Sequence, residues 1–273
     1  QNAYWLGLID FDIELHLIQT PEGSVEKRFK FYTSWRMIAN RGTTPNPAIT
    51  KIIHEYREKK EAADALIDKE ELICTVKHQP LITKTAVVRC GSAQIMNVIA
   101  DAMWKRFTVS GCNADLAIIN GGIVRGDSIY APNTKITRGI LMEEIPFPLK
   151  LVMVEIKGKF IREALEQHIV KYPAPVGSYP HVSGNVKVKF NDCSSAVPLK
   201  RIQSITINGS PLDPEKEYLL TTTMFLSIGG DNCKSYTNGK VIGEPSMLFD
   251  VIIAYMKALS DLDATLEERF VAV

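Results

Sequence analysis

Between residues 94 and 223, short runs rich in β-branched residues alternate with stretches whose apolar residues recur at helical spacing. That alternation restricts the chain to an α/β arrangement. The clearest strand is Ala114-Asp115-Leu116-Ala117-Ile118-Ile119, an apolar run that ends at Asn120-Gly121-Gly122 and reads as a buried strand entering a loop. Before it, Met96, Ile99, Ala100, Met103 and Phe107 share one face of a helix. After it, a strand over 151–156 leads through Lys157-Gly158-Lys159 to a helix with Ile161, Ala164, Leu165 and His168 on one side. Val186, Val188 and Phe190 alternate with polar residues, as do Ile205 and Ile207 ahead of an Asn208-Gly209 turn. A last strand over 218–223 ends in the loop Met224-Phe225-Leu226-Ser227-Ile228-Gly229-Gly230-Asp231. The hairpin-like turns favour a mixed sheet with flanking helices over a purely parallel one.

Upstream the pattern changes. From Trp5 to Leu15 the later residues alternate apolar with acidic or polar, as in a half-buried strand, and no partner is evident in the turn and charge signals that follow. Arg41-Gly42-Thr43-Thr44-Pro45-Asn46-Pro47 breaks regular structure and is expected to mark a boundary. From Ala48, the residues Ile49, Ile52, Ile53 and Tyr56 recur at helical spacing, and Glu58, Lys59, Lys60 and Glu61 form the solvated part of the same helix, which reads as a linker.

Charge and composition narrow the function. The 273 residues are 45% hydrophobic, enough for one large domain or two ordinary ones, and 32 basic residues nearly cancel 31 acidic ones to leave +1. No global field recruits a nucleic-acid polymer or an anionic membrane, so recognition of phosphate has to be local. No apolar run approaches the roughly 20 residues of a membrane span. The start lacks a basic segment followed by an apolar one, and Gln1 is not an initiator Met; the chain is expected to begin inside a longer protein, with any secretion signal upstream. Cys74, Cys90, Cys112, Cys193 and Cys233 lie far apart without C-x-x-C spacing and read as partly buried thiols rather than a disulfide framework.

No complete catalytic machine is visible. His16, His54, His78, His168 and His181 are isolated, without H-x-H or H-E-x-x-H spacing, and neither a G-x-S-x-G elbow nor a phosphate-binding glycine loop is present. Two glycine-rich loops remain. Asn120-Gly121-Gly122-Ile123-Val124-Arg125 joins an amide and a guanidinium to glycines that permit close backbone approach, and Phe225 stands six positions before Asp231. An aromatic face stacks on a base, a carboxylate accepts bonds from ribose hydroxyls, and arginines meet phosphate. By residue type alone, Gly229-Gly230-Asp231 is equally an ordinary turn and Phe225 equally a core residue. The tripeptide Arg125-Gly126-Asp127 is read as part of the first loop, not as an adhesion motif.

Asn120-Gly-Gly-x-x-Arg125, Pro146-Phe147, Val182-Ser183-Gly184 and Phe225-Leu226-x-x-Gly229-Gly230-Asp231 occur in the order and approximate spacing of the 5'-nucleotidase C-terminal domain. Arg89, Asn97 and Ala100-Asp101-Ala102 resemble that family's arginine-plus-helix segment, and residues 3–15, with Tyr4-Trp5-Leu6-Gly7, resemble the final strands of its metallophosphatase domain. Gly91, Ser92, Ile123, Met224 and Asn232 depart from its usual residues. The resemblance implies an upstream metallophosphatase remnant at 1–45, a linker helix at 46–66 and a substrate-binding domain at 67–273. It further implies a base clamped by Phe147 and Phe225, Asn120 on the base, Asp231 on the ribose, and Arg89 and Arg125 on ribose and phosphate. The partners it implies are a nucleoside or nucleotide and the chain's own N-terminal metallophosphatase domain. That missing domain would hold two divalent metal ions, so this chain would bind without hydrolysing, while the full-length protein would be a nucleoside monophosphate hydrolase. The alternatives are a cyclic-nucleotide phosphodiesterase or nucleotide-sugar pyrophosphatase on the same scaffold, or a non-catalytic nucleotide-binding module. The family is often secreted, periplasmic or held at the cell surface.

Overall fold

The computed structural model describes residues 5–39, 43–109, 111–192, 200–263 and 265–273. Cys193, Tyr4 and the Arg41-Gly42 part of the expected break lie outside the described residues. The chain divides into two compact units, one ending at Ile67 and the other spanning Asp68–Val273.

In the first unit the strand Trp5–Gln19 has a partner that the sequence reading missed, Val25–Ala39, paired antiparallel from Trp5↔Ala39 to Gln19↔Val25. Residues 20–24 close the hairpin, with Gly23 at φ 83 and the Thr20 amide donating to the Ser24 carbonyl at 2.8 Å. The partner was passed over as turn and charge signals because Glu26, Lys27, Arg28, Lys30 and Arg36 crowd a segment that nonetheless alternates with period two. Phe29, Phe31, Trp35 and Met37 join Ile9, Phe11, Ile13, Leu15 and Leu17 on one face, all exposed, while Lys30 stands opposite Glu14 on the other. The helix Pro47–Asp64 follows, capped by Asn46, whose side-chain oxygen accepts from the amides of Ala48 and Ile49 with Pro47 at the first helical position.

The second unit is a mixed α/β body. Its central sheet has five strands in the order Pro180–Val182, Leu116–Asn120, Glu217–Thr223, Lys150–Lys157, Lys240–Met247. Only the pair 116–120 and 217–223 is parallel; the other neighbours are antiparallel. The apolar strands divide their side chains by period two. Ala117, Ile119, Leu151 and Met153 face a core shared with the helices Gln94–Arg106 and Leu248–Leu259. Leu116, Ile118, Val152, Val154 and Ile156 face a second core under the helix Gly158–His168 and the sheet containing Val186–Phe190 and Ile202–Ile207. Burial on both faces is why the 116–120 run carries no alternation. The segment after Thr223 is not all loop: Met224–Ser227 forms a helical turn capped by the Thr223 hydroxyl.

Cys74 and Cys233 are buried thiols, each pushed up to about 12 by desolvation. Asp101, part of the arginine-plus-helix segment, has a structural task. Arg269, buried near the chain's end, grips both Asp101 oxygens at 2.9 Å and also donates to the Val182 and Asn97 carbonyls, while the Gly184 amide donates to Asp101 at 2.8 Å. Truncating one partner of a buried pair strands the other charge. Asp101→Ala should therefore lower the unfolding free energy by about 3–5 kcal/mol, read as a drop in the urea midpoint, and an unchanged midpoint would show the pair to be energetically idle.

Candidate functional site

The topology brings four strand ends to one edge of the central sheet. The parallel strands 116–120 and 217–223 both finish there, and the antiparallel strands 150–157 and 180–182 both begin there. The segments just beyond these ends are the two glycine loops, Pro146-Phe147, and residues 176–179. A polar cluster is feasible there because the backbone leaves the ladder and its groups meet solvent.

A cavity of about 230 Å³ opens at this edge, lined by Asn120, Gly122, Ile123, Arg125, Phe147, Leu149, Gly177, Thr223, Phe225 and Asp231. Five of the six residues singled out from the sequence thus meet in one place. The sixth, Arg89, lies in an adjoining chamber of about 720 Å³ that shares Gly177 and Asp231 with the first. The aromatic rings are not core: Phe147 is 40% and Phe225 44% exposed. The Arg125 guanidinium sits 5.2 Å from the centroid of the Phe147 ring, in cation–π range.

Asn120 is only 6% exposed, and its amide is oriented by two acceptors. Its Nδ2 donates to Asp231 Oδ2 at 2.8 Å and to the Gly177 carbonyl at 3.2 Å, which leaves Oδ1 buried without a partner. Burial pushes the Asp231 carboxyl above its ordinary value, and the Asn120 bond and the Arg125 charge pull it back in part. Asp231 and Asn232 hold φ 55 and 62, and Gly229 φ 89, so every residue of the turn 229–232 but Gly230 is left-handed.

Several residues act by setting others in place. A Cβ on Gly121 would overlap the Val88 carbonyl oxygen, so this glycine lets the turn Thr85–Val88, and Arg89 after it, close onto the end of strand 116–120. Gly230 likewise leaves room for the Phe225 ring. Arg125 is held through Glu144: the Arg125 amide donates to the Glu144 carbonyl at 2.8 Å, and the buried carboxylate accepts from Thr83, Tyr130 and the Gly126 amide. Of the motif Val182-Ser183-Gly184, none lines either cavity. Ser183 Oγ accepts from the Ala117 amide and donates to Asn185, which fastens the sheet edge. Gly177 was missed from the sequence, where only the turn-forming Pro173 and Pro175 nearby hint at a loop.

The profile of the family described as 5'-nucleotidase, C-terminal domain, matches residues 73–238. The chain belongs to this family. Protein UshA of Yersinia enterocolitica is 32% identical over 158 residues, covering 56% of this chain and 26% of that protein. The trifunctional nucleotide phosphoesterase YfkN of Bacillus subtilis is 28% identical over 155 residues, covering 55% and 10%. Among solved structures, the 5'-nucleotidase precursor of Thermus thermophilus superposes with a TM-score of 0.68 at 21% identity over 95% of this chain and 54% of its own. The chain therefore spans about a quarter or less of these two relatives and about half of that structure. The four strands whose ends carry the cavity all lie within the matched family region.

Two buried histidines brace the site's walls. His168 Nδ1 donates to the Ser178 carbonyl at 2.5 Å, so Nε2 is left to accept from the Tyr236 hydroxyl at 3.0 Å, and His181 Nε2 donates to the Val88 carbonyl at 2.8 Å. Burial lowers both from the ordinary 6.5 to about 4. Each ring stays neutral in the folded chain while the unfolded chain takes up protons, so stability is complete above about 6.5 and falls as pH drops toward 4. Urea midpoints measured across that range should fall steadily, and a flat profile between pH 6.5 and 5 would contradict neutral burial of these rings.

Proposed function

We propose that the aromatic cavity binds the nucleoside part of a nucleotide, and that this chain is the substrate-binding portion of a longer enzyme that hydrolyses nucleoside monophosphates to nucleoside and phosphate. The observation that carries the reading is the pairing, in one cavity, of two exposed phenylalanine rings with a buried amide oxygen that lacks a partner. A base stacked on Phe147 and Phe225 gains dispersion on its faces, and Asn120 Oδ1 accepts a hydrogen bond from its edge. Asp231 Oδ2 is already bonded to Asn120, and the carboxylate retains acceptor capacity for ribose hydroxyls. Arg125, next to Phe147, and Arg89, in the adjoining chamber, supply positive charge toward ribose and phosphate. Similar proteins, the Bacillus subtilis nucleotide phosphoesterase and a 5'-nucleotidase of Naja atra venom, agree with such a ligand by name.

Hydrolysis itself needs more than these residues. The two-metal centre implied by the family would supply an activated water and neutralise phosphoryl charge. Among the described residues no group of three or more His, Cys, Asp or Glu side chains is arranged to hold a metal ion. The residues present do not fit that centre, and in this reading it belongs to a preceding metallophosphatase domain. The part played by this chain is to hold and orient the nucleoside.

Calorimetric titration of adenosine and its 5'-monophosphate onto the chain tests the binding role. Phe147→Ala and Phe225→Ala should each weaken binding by about 1–3 kcal/mol, the usual worth of base stacking on an aromatic ring. Unchanged affinity in both variants, with circular dichroism intact, would remove the clamp. The purified chain should also release no phosphate from the monophosphate with Mg²⁺, Mn²⁺ or Zn²⁺; metal-dependent turnover would overturn the assignment of the metal centre to another domain.

A further inference from the structure

The pair Asn-Gly occurs at 120–121, 208–209 and 238–239. An asparagine followed by glycine is open to attack by its own main chain, because the next amide nitrogen is tethered close to Cγ and glycine puts no Cβ in the way. The reaction requires that nitrogen free of other bonds and the asparagine free to rotate. Folding therefore decides which pair reacts.

Two of the pairs are closed. Asn120 is buried with both Nδ2 hydrogens donated, and the Gly121 amide donates to the Tyr179 carbonyl at 2.8 Å. Asn238 is exposed, but its Nδ2 donates to the Ser235 carbonyl at 3.1 Å and the Gly239 amide donates to the Tyr236 carbonyl at 3.1 Å. A Cβ on Gly239 would overlap Val154, so that turn is also packed against the sheet. Asn208-Gly209 differs on each count. It is the tip of the hairpin between strands Ile202–Ile207 and Ser210–Pro211, with φ 51 and 78, and both residues are exposed. Among the described residues the Gly209 amide has no hydrogen-bond partner, and a Cβ there would meet nothing within 4 Å. The returning strand is two residues long, so the tip opens at low cost.

The Asn208 side chain is primed from the other direction. Asn185 Nδ2 donates to Asn208 Oδ1 at 3.2 Å and to the Asp115 carbonyl at 2.7 Å, while Asn185 Oδ1 accepts from the Ser183 hydroxyl at 2.8 Å. A donor anchored in this way polarises the Asn208 carbonyl and stabilises the oxyanion that forms on attack. We propose that Asn208 is a self-modification site, converted to aspartate and isoaspartate through a succinimide shared with Gly209, with Asn185 as the assisting donor. Solvent base removes the Gly209 amide proton, the nitrogen bonds to Asn208 Cγ, and the Cγ–Nδ2 bond breaks with release of ammonia. Water then opens the ring at either carbonyl; one opening gives aspartate and the other isoaspartate, whose main chain carries an extra methylene. Either product puts a negative charge at the tip, and the isoaspartyl form disturbs the pairing of Ile207 with Ser210.

The test is a time course of the full chain at neutral and mildly alkaline pH, digested with trypsin and read by mass spectrometry, with enzymatic isoaspartyl methylation to identify the second product. Peptide 202–216 carries Asn208, 235–240 carries Asn238 and 107–125 carries Asn120. Conversion at Asn208 should outrun the other two by about tenfold, since attack elsewhere must first break the bonds of both the glycine amide and the asparagine side chain. It should quicken as pH rises, and in urea the three rates should converge. Asn208→Gln should abolish the modification in 202–216, and Asn185→Ala, with circular dichroism intact, should slow it. Conversion at Asn120 or Asn238 as fast as at Asn208 in the folded chain, or no product at Asn208, would overturn the proposal. An Asn185→Ala chain that converts at the wild-type rate or faster would overturn the role given to Asn185.

Discussion

Because the inner strands of the central sheet are buried on both faces, their middles have no side chain to spare for a polar ligand, and recognition has to take place at their last residues and beyond. The antiparallel placement of 150–157 beside the parallel pair 116–120 and 217–223 matters for that reason. It brings a strand's beginning to the edge where two others finish, so Phe147 enters the same space as Asn120 and Phe225. A purely parallel sheet would have sent the segment bearing Phe147 to the far edge.

Each recognition group at that edge leans on a residue that touches no ligand space. Gly121 admits the carbonyl of Val88, Gly230 admits the ring of Phe225, and Glu144 gathers hydroxyl and amide donors beneath Arg125. The glycines owe their place to a missing Cβ, and here the missing atom serves close packing more than unusual dihedrals. Only Gly229, among the glycines of these two loops, has a positive φ. A motif such as Asn-Gly-Gly therefore mixes chemistry with clearance: Asn120 addresses the cavity while Gly121 lets a neighbouring turn come near enough to present Arg89.

The parts legible in the sequence were those encoded by local contrast. An apolar run that stops at Asn120-Gly121-Gly122, or a strand that stops before Gly229-Gly230-Asp231, announces a strand end and a loop, and the resemblance supplied Phe147 and Arg89. Gly177 escaped because nothing in its neighbours' composition tells which loop will lie across from Asp231; that depends on the pairing of Pro180 with Asn120, a contact between distant residues. Val25–Ala39 escaped for another reason, since its charges cluster at Glu26, Lys27, Arg28 and Lys30, where Lys27 falls on the apolar face opposite Leu17 and interrupts the period. Val182-Ser183-Gly184 was visible as a motif, but its meaning was not: its hydroxyl and amide bind Ala117 and Asp101 inside the fold.

The long hairpin at the start of the chain has a physical cost of its own. Two strands of fifteen residues each, joined by a five-residue turn, display ten large apolar side chains on a single face, Val25 among them, and both outer edges of the ribbon keep backbone donors and acceptors outside any ladder among the described residues. A two-stranded ribbon is marginal in water by itself, and a long apolar ribbon with open edges is a template for further strands. In dilute solution this segment should exchange its amide hydrogens far faster than the 116–120 strand, and at high concentration it should be where chains first adhere to one another. Adhesion between ribbons of this kind is thus a matter for the hairpin Trp5–Ala39 alone, whereas the aromatic cavity is built from residues between Asn120 and Asp231.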